Sequence, residues 1–231
     1  MLTTKTSHHF FFINQISKIS NLTVVFENDI LKPNFETSHN YEKKQISYEK
    51  KNWFKNKNIQ ISKDIKFIKV DNINDNKTID FIKLNNPEII FSFGISRLKK
   101  VFINNVKKKI CNFHGGDTAF YRGLDSHLWS LYHNDLRGLK VTLHEVDKNL
   151  DSGKIIFQRL LNLKNTKELC QLRTLNTELC IKLAKKLIKN SKTTKIKQNE
   201  LGRYYSFMPK DLKNLVNIKY RDKLKIIYND S

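Results

Sequence analysis

Residues 87–114 read PEIIFSFGISRLKKVFINNVKKKICNFH, and this stretch decides the fold. Its first part, Pro87–Gly94, is an almost continuous apolar run, which is typical of a strand buried on both faces of a sheet. The next part, Ser96–Val106, predicts a helix with Ser96 as its cap, and Lys108–His114 predicts a second strand. A strand, a helix of about ten residues and another strand make up the repeating unit of a parallel sheet covered on both sides.

The same alternation of helices and strands extends to both sides of this unit. Strands are predicted for Asn21–Asn28, Leu139–Asp147 and Gly153–Leu163, and helices for Ser7–Ser20, Lys77–Asn86, Ser126–Asn134 and Thr166–Asn190. Asn165 and Glu168 predict a capping box for the last of these helices. Residues 34–60 are polar and predict a loosely packed helical segment, and GRYYSF at 202–207 predicts a short strand or turn packed on the sheet.

Length and composition limit the class of protein. The 231 residues, 39% of them hydrophobic, suit one large domain or one domain with a small appendage. No stretch is apolar and long enough to span a bilayer, and the start of the chain is a poor signal peptide, so we expect a cytoplasmic protein. The three cysteines show no CxxC spacing, which disfavours a disulfide framework and a zinc site.

The formal net charge of +21 suggests nucleic acid or an anionic surface as a partner. However, the excess of Lys accompanies an excess of Asn and Ile, and a bias toward AT-rich codons would enrich all three. The charge is also uneven, because residues 112–158 hold six acidic and five basic side chains, whereas residues 161–231 hold six acidic and seventeen basic ones. The positive charge lies mostly outside the segment with candidate chemistry, which disfavours nucleic acid as a partner.

The end of the strand Lys108–His114 carries a candidate site. Residues two apart in a strand face the same side, so Asn112 and His114 point together at its carboxyl end. Ligands of open α/β sheets bind at these ends. Gly115 and Gly116 follow at once and allow a sharp turn and the close approach of a ligand. The alternative is a hydrogen-bonded core histidine followed by a plain turn, and this stretch alone leaves both open.

Three further motifs follow the N-x-H of Asn112–His114. They are Y-R-G at Tyr121–Gly123, V-T-x-H at Val141–His144, and D-x-G at Asp151–Gly153 just before an I-I strand. In order and spacing, over roughly residues 86–160, the four motifs resemble the formyltransferase family that uses 10-formyltetrahydrofolate. Each motif alone is weak, whereas their combination is specific.

The resemblance implies a Rossmann-like formyltransferase domain, with a mostly parallel sheet and helices on both faces. We expect this catalytic domain over residues 1–190 and a short basic C-terminal extension over residues 191–231, packed on or near it. The implied catalytic residues are Asn112, His114 and Asp151. The Asn112 amide and a protonated His114 would donate hydrogen bonds to the formyl oxygen as it gains negative charge. Asp151 would accept a proton from the attacking amine and orient His114.

The resemblance also implies that two loops bind the co-substrate 10-formyltetrahydrofolate, and we expect no metal. Carried over to this chain, the folate-binding residues are Gly94, Ile95, Ser96 and Arg97 in the first loop and Val146, Asp147 and Leu150 in the second. Residues that would contact the amine or support the catalytic residues are Gly115, Gly116, Arg122, Thr142 and His144. For Thr142 and His144, strand polar residues satisfied by the backbone are an equally good interpretation.

Departures from the family narrow the choice of amine. The glycinamide ribonucleotide branch has a glycine-rich phosphate loop, whereas residues 2–12 read LTTKTSHHFFF. The initiator-tRNA branch has a separate C-terminal domain, whereas only about seventy residues follow the catalytic core here. We therefore expect a nucleotide-linked amino sugar as the small-molecule substrate. The alternatives are a phosphoribosylglycinamide or methionyl-tRNA formyltransferase and, outside enzymes, a basic nucleic-acid-binding protein. A homodimer is left open, and the first strand must be very short if the chain starts at Met1.

Overall fold

The computed structural model describes residues 1–28, 32–147, 151–164, 166–190, 193–200 and 202–229, with side chains up to residue 222. The strands are β1 Leu2–Thr4, β2 Thr23–Glu27, β3 Lys66–Val70, β4 Ile89–Phe93, β5 Lys109–His114, β6 Tyr121–Gly123, β7 Lys140–Glu145, β8 Ile155–Leu160 and β9 Arg203–Tyr205. The helices are α1 Ser7–Ile16, α2 Asn40–Phe54, α3 Asn76–Asn85, α4 Lys100–Val106, α5 Ser126–Tyr132, α6 Leu172–Lys189 and α7 Lys210–Asn229. Two short 3₁₀ helices span Leu136–Gly138 and Leu169–Gln171.

Seven strands form one sheet in the order β3-β2-β1-β4-β5-β7-β8. Strands β1 to β5 pair in parallel, whereas β7 runs antiparallel to both of its neighbours. The predicted mostly parallel α/β sheet is thus confirmed, and its central strand β1 has only three residues. The strand order reverses between β1 and β4, and such a reversal opens a crevice at the carboxyl ends of the strands.

Two separate apolar cores cover the two faces of the sheet. On one face, Phe12 of α1 packs edge-on against Phe91 of β4 and Phe113 of β5. On the other face, Ile90 of β4 belongs to the same cluster as Phe102 of α4. Neighbouring residues of β4 thus enter different cores, which explains why this strand is an unbroken apolar run.

Helix α2 occupies the centre of the predicted helical segment 34–60, but it is not loosely packed. Its Glu49 is fully buried and accepts hydrogen bonds from the guanidinium of Arg173 on α6. Ser7 at the start of α1 donates its hydroxyl to the same carboxylate. The helix is anchored by this polar network rather than by an apolar stripe, so hydrophobic periodicity gave little sign of its packing.

Several element boundaries differ from the predicted ones. Helix α4 begins at Lys100 rather than Ser96, because Ser96 is bonded to Glu27 of β2. Helix α6 begins at Leu172, after a 3₁₀ turn in which Glu168 forms a capping box with Gln171. Asn165, the other member of the predicted box, lies outside the described residues.

The elements that were not predicted from the sequence include a strand of the main sheet and a long helix. Strand β3 lies at the edge of the sheet and exposes Lys66, Phe67 and Lys69, so it lacks the apolar run of a central strand. Helix α7 packs on α5, and its buried Lys213 donates to Oε1 of Glu42 at 2.8 Å. In the described part of the chain, no helix is long and apolar enough to cross a membrane.

The strand predicted within residues 202–207 exists as β9. It pairs in parallel with β6, in the register Tyr121 to Arg203, and the two form a separate ribbon rather than part of the main sheet. This pairing brings the C-terminal part of the chain to the loop that follows β5.

Candidate active site

A cavity of about 1070 Å³ opens at the carboxyl ends of β4 and β5, beside the reversal of strand order. The residues predicted for the site that line it are Gly94, Ile95, Ser96, Arg97, Asn112, His114, Gly115, Arg122, His144, Val146, Asp147 and Asp151. Gly116 and Thr142 lie behind this lining, and Leu150 lies outside the described residues. The fold therefore brings together residues from most of the motifs singled out in the sequence.

Ser92 of β4 fixes the orientation of the Asn112 side chain. Its hydroxyl donates to Asn112 Oδ1 at 2.9 Å, and the two residues are register partners in the sheet. Asn112 Nδ2 is therefore turned away from β4, and it lies 3.3 Å from His144 Nε2 and 3.4 Å from Asp151 Oδ1. His144 is the register partner of Asn112 on β7, which explains why the N-x-H and V-T-x-H motifs meet.

The carboxylate of Asp151 lies at the centre of this group, although only 6% of the residue is exposed. Its Oδ2 accepts the backbone N–H of Gly123 at 3.1 Å and lies 3.5 Å from His114 Nδ1. Its Oδ1 lies 3.3 Å from His144 Nε2. Both carboxylate oxygens thus face hydrogen-bonding partners, and the three predicted catalytic residues meet within one cavity.

Gly116 makes room for the buried ring of His114. The ring nitrogen Nε2 lies 2.7 Å from the Tyr121 carbonyl oxygen, so the neutral ring donates its proton there and turns Nδ1 toward Asp151. A Cβ at position 116 would lie 2.8 Å from that Nε2, closer than real Cβ contacts allow. Thr142 supports the turn, because its hydroxyl donates to the Gly116 carbonyl at 2.6 Å.

The pKa values of His114 and Asp151 are both lowered in the folded protein. Burial lowers the pKa of His114, and the Asp151 carboxylate offsets only part of this effect. Burial acts to raise the pKa of Asp151, but His114, His144 and the Gly123 N–H outweigh it and hold that pKa well below its usual range. At neutral pH the resting site therefore holds an ionised Asp151 beside a neutral His114, which differs from the protonated His114 expected from the sequence because burial disfavours the charged ring.

Glu27, at the end of β2, holds the loop from Gly94 to Arg97. It is buried, its Oε2 accepts the Ser96 N–H at 2.7 Å, and its Oε1 accepts the Ser96 hydroxyl at 2.5 Å. Asn74, which follows β3, donates from Nδ2 to the Arg97 carbonyl at 3.1 Å. Polar side chains that follow the two neighbouring strands thus fix the loop that was predicted to bind folate.

Another part of the cavity wall comes from α1, α2, α5 and α6. Arg173 of α6 borders the cavity and binds Glu49 through two bonds, Nε to Oε1 at 2.7 Å and Nη2 to Oε2 at 2.8 Å. Asp125, next to α5, lies 3.8 Å from Nζ of Lys213. His127 also borders the cavity, and burial lowers its pKa to about 4. The charges of Arg173 and Asp125 are thus compensated by partners within the protein.

Comparison with known proteins shows the family. The sequence profile described as Formyl transferase matches residues 14–179, which is most of the chain and includes Asn112, His114 and Asp151. This chain belongs to the formyl transferase family. No curated protein sequence matches the chain significantly.

Solved structures of the same fold are similar to this formyl transferase at low sequence identity. A 4-N formyltransferase from Francisella tularensis is 22% identical, with a TM-score of 0.55 over 89% of this chain and 74% of that one. An N-formyltransferase from Helicobacter canadensis, in complex with folinic acid and dTDP-3-aminofucose, is 20% identical, with a TM-score of 0.56 over 89% and 69%. A sugar N-formyltransferase from a Shewanella species is 14% identical, with a TM-score of 0.57 over 88% and 74%. These likenesses establish the shared fold.

The sequence did not predict several residues that complete the site of this formyl transferase. Two of these residues carried a weak signal of function in the sequence. Ser92 is the polar residue within the apolar strand β4, and Glu27 is a carboxylate at the end of β2. The Glu49–Arg173 pair carried no signal, because its members are 124 residues apart and neither belongs to a motif. Gln198 donates to the backbone carbonyls of Asp151 and Gly153, and it lies in a C-terminal segment in which the sequence showed no motif.

Proposed function

We propose that this formyl transferase transfers a formyl group from 10-formyltetrahydrofolate to the primary amine of a nucleotide-linked amino sugar. The observation that carries the proposal is the ionised Asp151 carboxylate, 3.5 Å from His114 Nδ1 and 3.4 Å from Asn112 Nδ2, at one cavity of a formyl transferase fold. These are the residue types that amine attack on a formyl carbon requires.

Each catalytic group has a task that follows from its contacts. The co-substrate, when bound, supplies the formyl carbon that the amine attacks. Asn112 directs its amide N–H groups away from Ser92 and stabilises negative charge on the formyl oxygen. Asp151 accepts the proton that the amine loses, and it shares that proton with His114, whose Nδ1 lies 3.5 Å away. Since the resting pair carries one negative charge, the added proton makes the pair neutral overall, and this proton is then available to the folate nitrogen that leaves.

The donor site is supported by the loop Gly94–Arg97, which borders the cavity on the same side as Asn112. Formyltransferases of this type hold the folate through backbone groups of two loops. Glu27 and Asn74 fix the backbone of the first loop, so its N–H and C=O groups are set before the ligand arrives. Val146 and Asp147 belong to the second loop and border the same cavity. The Helicobacter canadensis protein of the same fold was solved with folinic acid, a formylated folate.

The start of α1 argues against a phosphate monoester on the acceptor. Thr6 Oγ1 lies 3.0 Å from His8 Nδ1, and the Ser7 hydroxyl donates to Glu49, so both hydroxyls are already used. The His8 ring borders the cavity at this point, and no glycine brings backbone N–H groups close to a phosphate.

An uncharged sugar ring suits the wall near α2 and α6, because Arg173 there is already bound to Glu49. Arg122 and Tyr204 border the cavity on the β6–β9 ribbon, where the nucleotide would extend. The Helicobacter canadensis protein also carries dTDP-3-aminofucose, an acceptor of the class proposed here.

The test is an assay of tetrahydrofolate release with purified protein and 10-formyltetrahydrofolate. The acceptors are a panel of nucleotide-linked 3-amino and 4-amino sugars, glycinamide ribonucleotide and initiator methionyl-tRNA. We expect release with at least one amino-sugar nucleotide and none with the other two. Activity on the ribonucleotide or the tRNA alone would reject the sugar acceptor and keep the formyl transfer, whereas no activity on any amine would reject the whole proposal.

A further inference from the structure

Residues 193–200 and 202–208 lie beyond the family match at 14–179, yet the contacts between this segment and the loop 115–125 that follows β5 include three hydrogen bonds. The Tyr205 carbonyl accepts the Leu124 N–H at 2.9 Å, and the Gly202 N–H donates to the Thr118 carbonyl at 3.1 Å. Arg122 Nε donates to the Gly202 carbonyl at 2.6 Å. This segment therefore borders both ends of the loop whose backbone binds His114 and Asp151.

Gln198 is the member of this segment that reaches the catalytic aspartate. Its Nε2 donates to the Asp151 carbonyl at 3.0 Å and to the Gly153 carbonyl at 2.6 Å. One amide group thus pins the backbone on both sides of Ser152. The contact joins positions 47 residues apart in the chain.

The backbone that Gln198 holds is an unfavourable one. Asp151 has a φ of 52°, in the left-handed region that residues with a side chain rarely adopt. Gly153 follows in close contact with β7, since a Cβ there would lie 1.7 Å from the Glu145 carbonyl oxygen. A turn of this kind persists only where the surrounding structure fixes it. The two bonds from Gln198 supply part of that support.

The conformation of this turn decides where the Asp151 carboxylate points. In the observed conformation its oxygens lie within 3.5 Å of the Gly123 N–H, His114 and His144. If the turn relaxed toward a negative φ, the side chain would swing away from these partners. Catalytic groups tolerate little such displacement, since a shift of about 1 Å costs on the order of 100-fold in rate.

We propose that Gln198 is a positioning residue for the catalytic Asp151 and acts through the backbone of the Asp151–Gly153 turn. Gln198 is accordingly part of the active-site structure, although it lies outside the family match. This inference rests on the proposed function for its kinetic test and on the geometry alone for its spectroscopic test.

The kinetic test compares Gln198→Met with Lys195→Met. Methionine has the length of glutamine and no hydrogen-bond donor, so both carbonyls lose their partner. Lys195 belongs to the same segment and binds Glu145 at 2.6 Å, so its variant removes a neighbouring contact and keeps those of Gln198. We expect kcat to fall about 10- to 100-fold for Gln198→Met, with KM for both substrates unchanged, and to stay near wild type for Lys195→Met.

The spectroscopic test needs no turnover. It follows the carboxyl ¹³C signals of labelled aspartates against pH, with Asp151→Asn to assign the signal. We expect the Asp151 carboxyl to titrate at a higher pH in Gln198→Met than in wild type, because its carboxylate leaves the Gly123 N–H and the two histidines. The titration in Lys195→Met should match wild type.

An unchanged Asp151 titration in Gln198→Met would overturn the inference, whatever happens to kcat. If the wild-type protein transfers no formyl group, only the proposed function is rejected. The titration of Asp151 then still decides whether Gln198 positions this residue. If Gln198→Met does not fold, Gln198→Leu serves as the second variant, because leucine has no group that donates to the two carbonyls at any pH.

Discussion

The hydroxyl of Ser92 donates to Oδ1 of Asn112 across the pairing of β4 with β5, and this bond determines which end of the amide faces Asp151. Without it the amide can rotate and present its oxygen to the carboxylate. We expect Ser92→Ala to lower kcat about 5- to 10-fold, the effect of one lost hydrogen bond, with little change in folate binding. Thr78→Val is the control, because its buried hydroxyl has no partner among the described residues. An unchanged kcat in Ser92→Ala would show that Asn112 keeps its orientation by other means.

Asp151→Asn tests the proton acceptor itself. The amide keeps the size and polarity of the side chain but cannot take a proton at neutral pH, so we expect kcat to fall by about 100-fold or more. Folinic acid binding, measured by calorimetry, should remain, and circular dichroism should show an unchanged fold. Turnover near the wild-type value in this variant would remove Asp151 from the mechanism.

Glu27→Gln tests the support of the folate loop. The amide retains one acceptor and places an NH₂ group against N–H and O–H donors of Ser96 and Ile73. We expect KM for 10-formyltetrahydrofolate to rise about 5- to 10-fold, the equivalent of one or two lost hydrogen bonds, while KM for the acceptor stays the same. Glu178→Gln is the control, since this carboxylate contacts the exposed Trp53 ring nitrogen instead. An equal change in both KM values would point to a general disturbance of the cavity.

His127 makes stability depend on pH. Its folded-state pKa is about 4 because of burial, against 6.5 in the unfolded chain, so between these values the unfolded state binds more protons. Its contribution to stability is therefore lost progressively as the pH falls from 6.5 to about 4 and changes no further below that.

His127→Gln keeps a donor for the Lys140 carbonyl, which His127 Nε2 contacts at 2.6 Å, but does not titrate. Urea unfolding at pH 7 and pH 5 should show a smaller loss of stability for the variant than for wild type. Equal losses in the two proteins would mean that His127 is not held as a neutral ring in the folded protein.

The sequence predicted those parts of the fold and site that local patterns encode. The apolar run of β4 and the Asn112 and His114 alternation of β5 depend on the two-residue period of a strand, which is visible in a single segment. Strand β3 and helix α7 were missed because an exposed edge strand and a Lys-rich helix bury few of their side chains. Glu27 and Arg173 act through partners far away in sequence, and such pairings become visible only in the folded chain.

The parallel pairing of β6 with β9 has a consequence for the order in which the protein becomes functional. Arg122 and Gly202 are 80 residues apart, so the loop that contacts His114 and Asp151 cannot settle until the residues near 202 are available. Contacts between distant segments are slow to form, because the entropy of closing a long loop is lost before the hydrogen bonds between the segments form. During synthesis the sheet and its helices can assemble on the ribosome while the site still lacks its last strand. Refolding should accordingly restore the far-ultraviolet circular dichroism signal before it restores catalysis. In the interval the protein has its secondary structure but no activity.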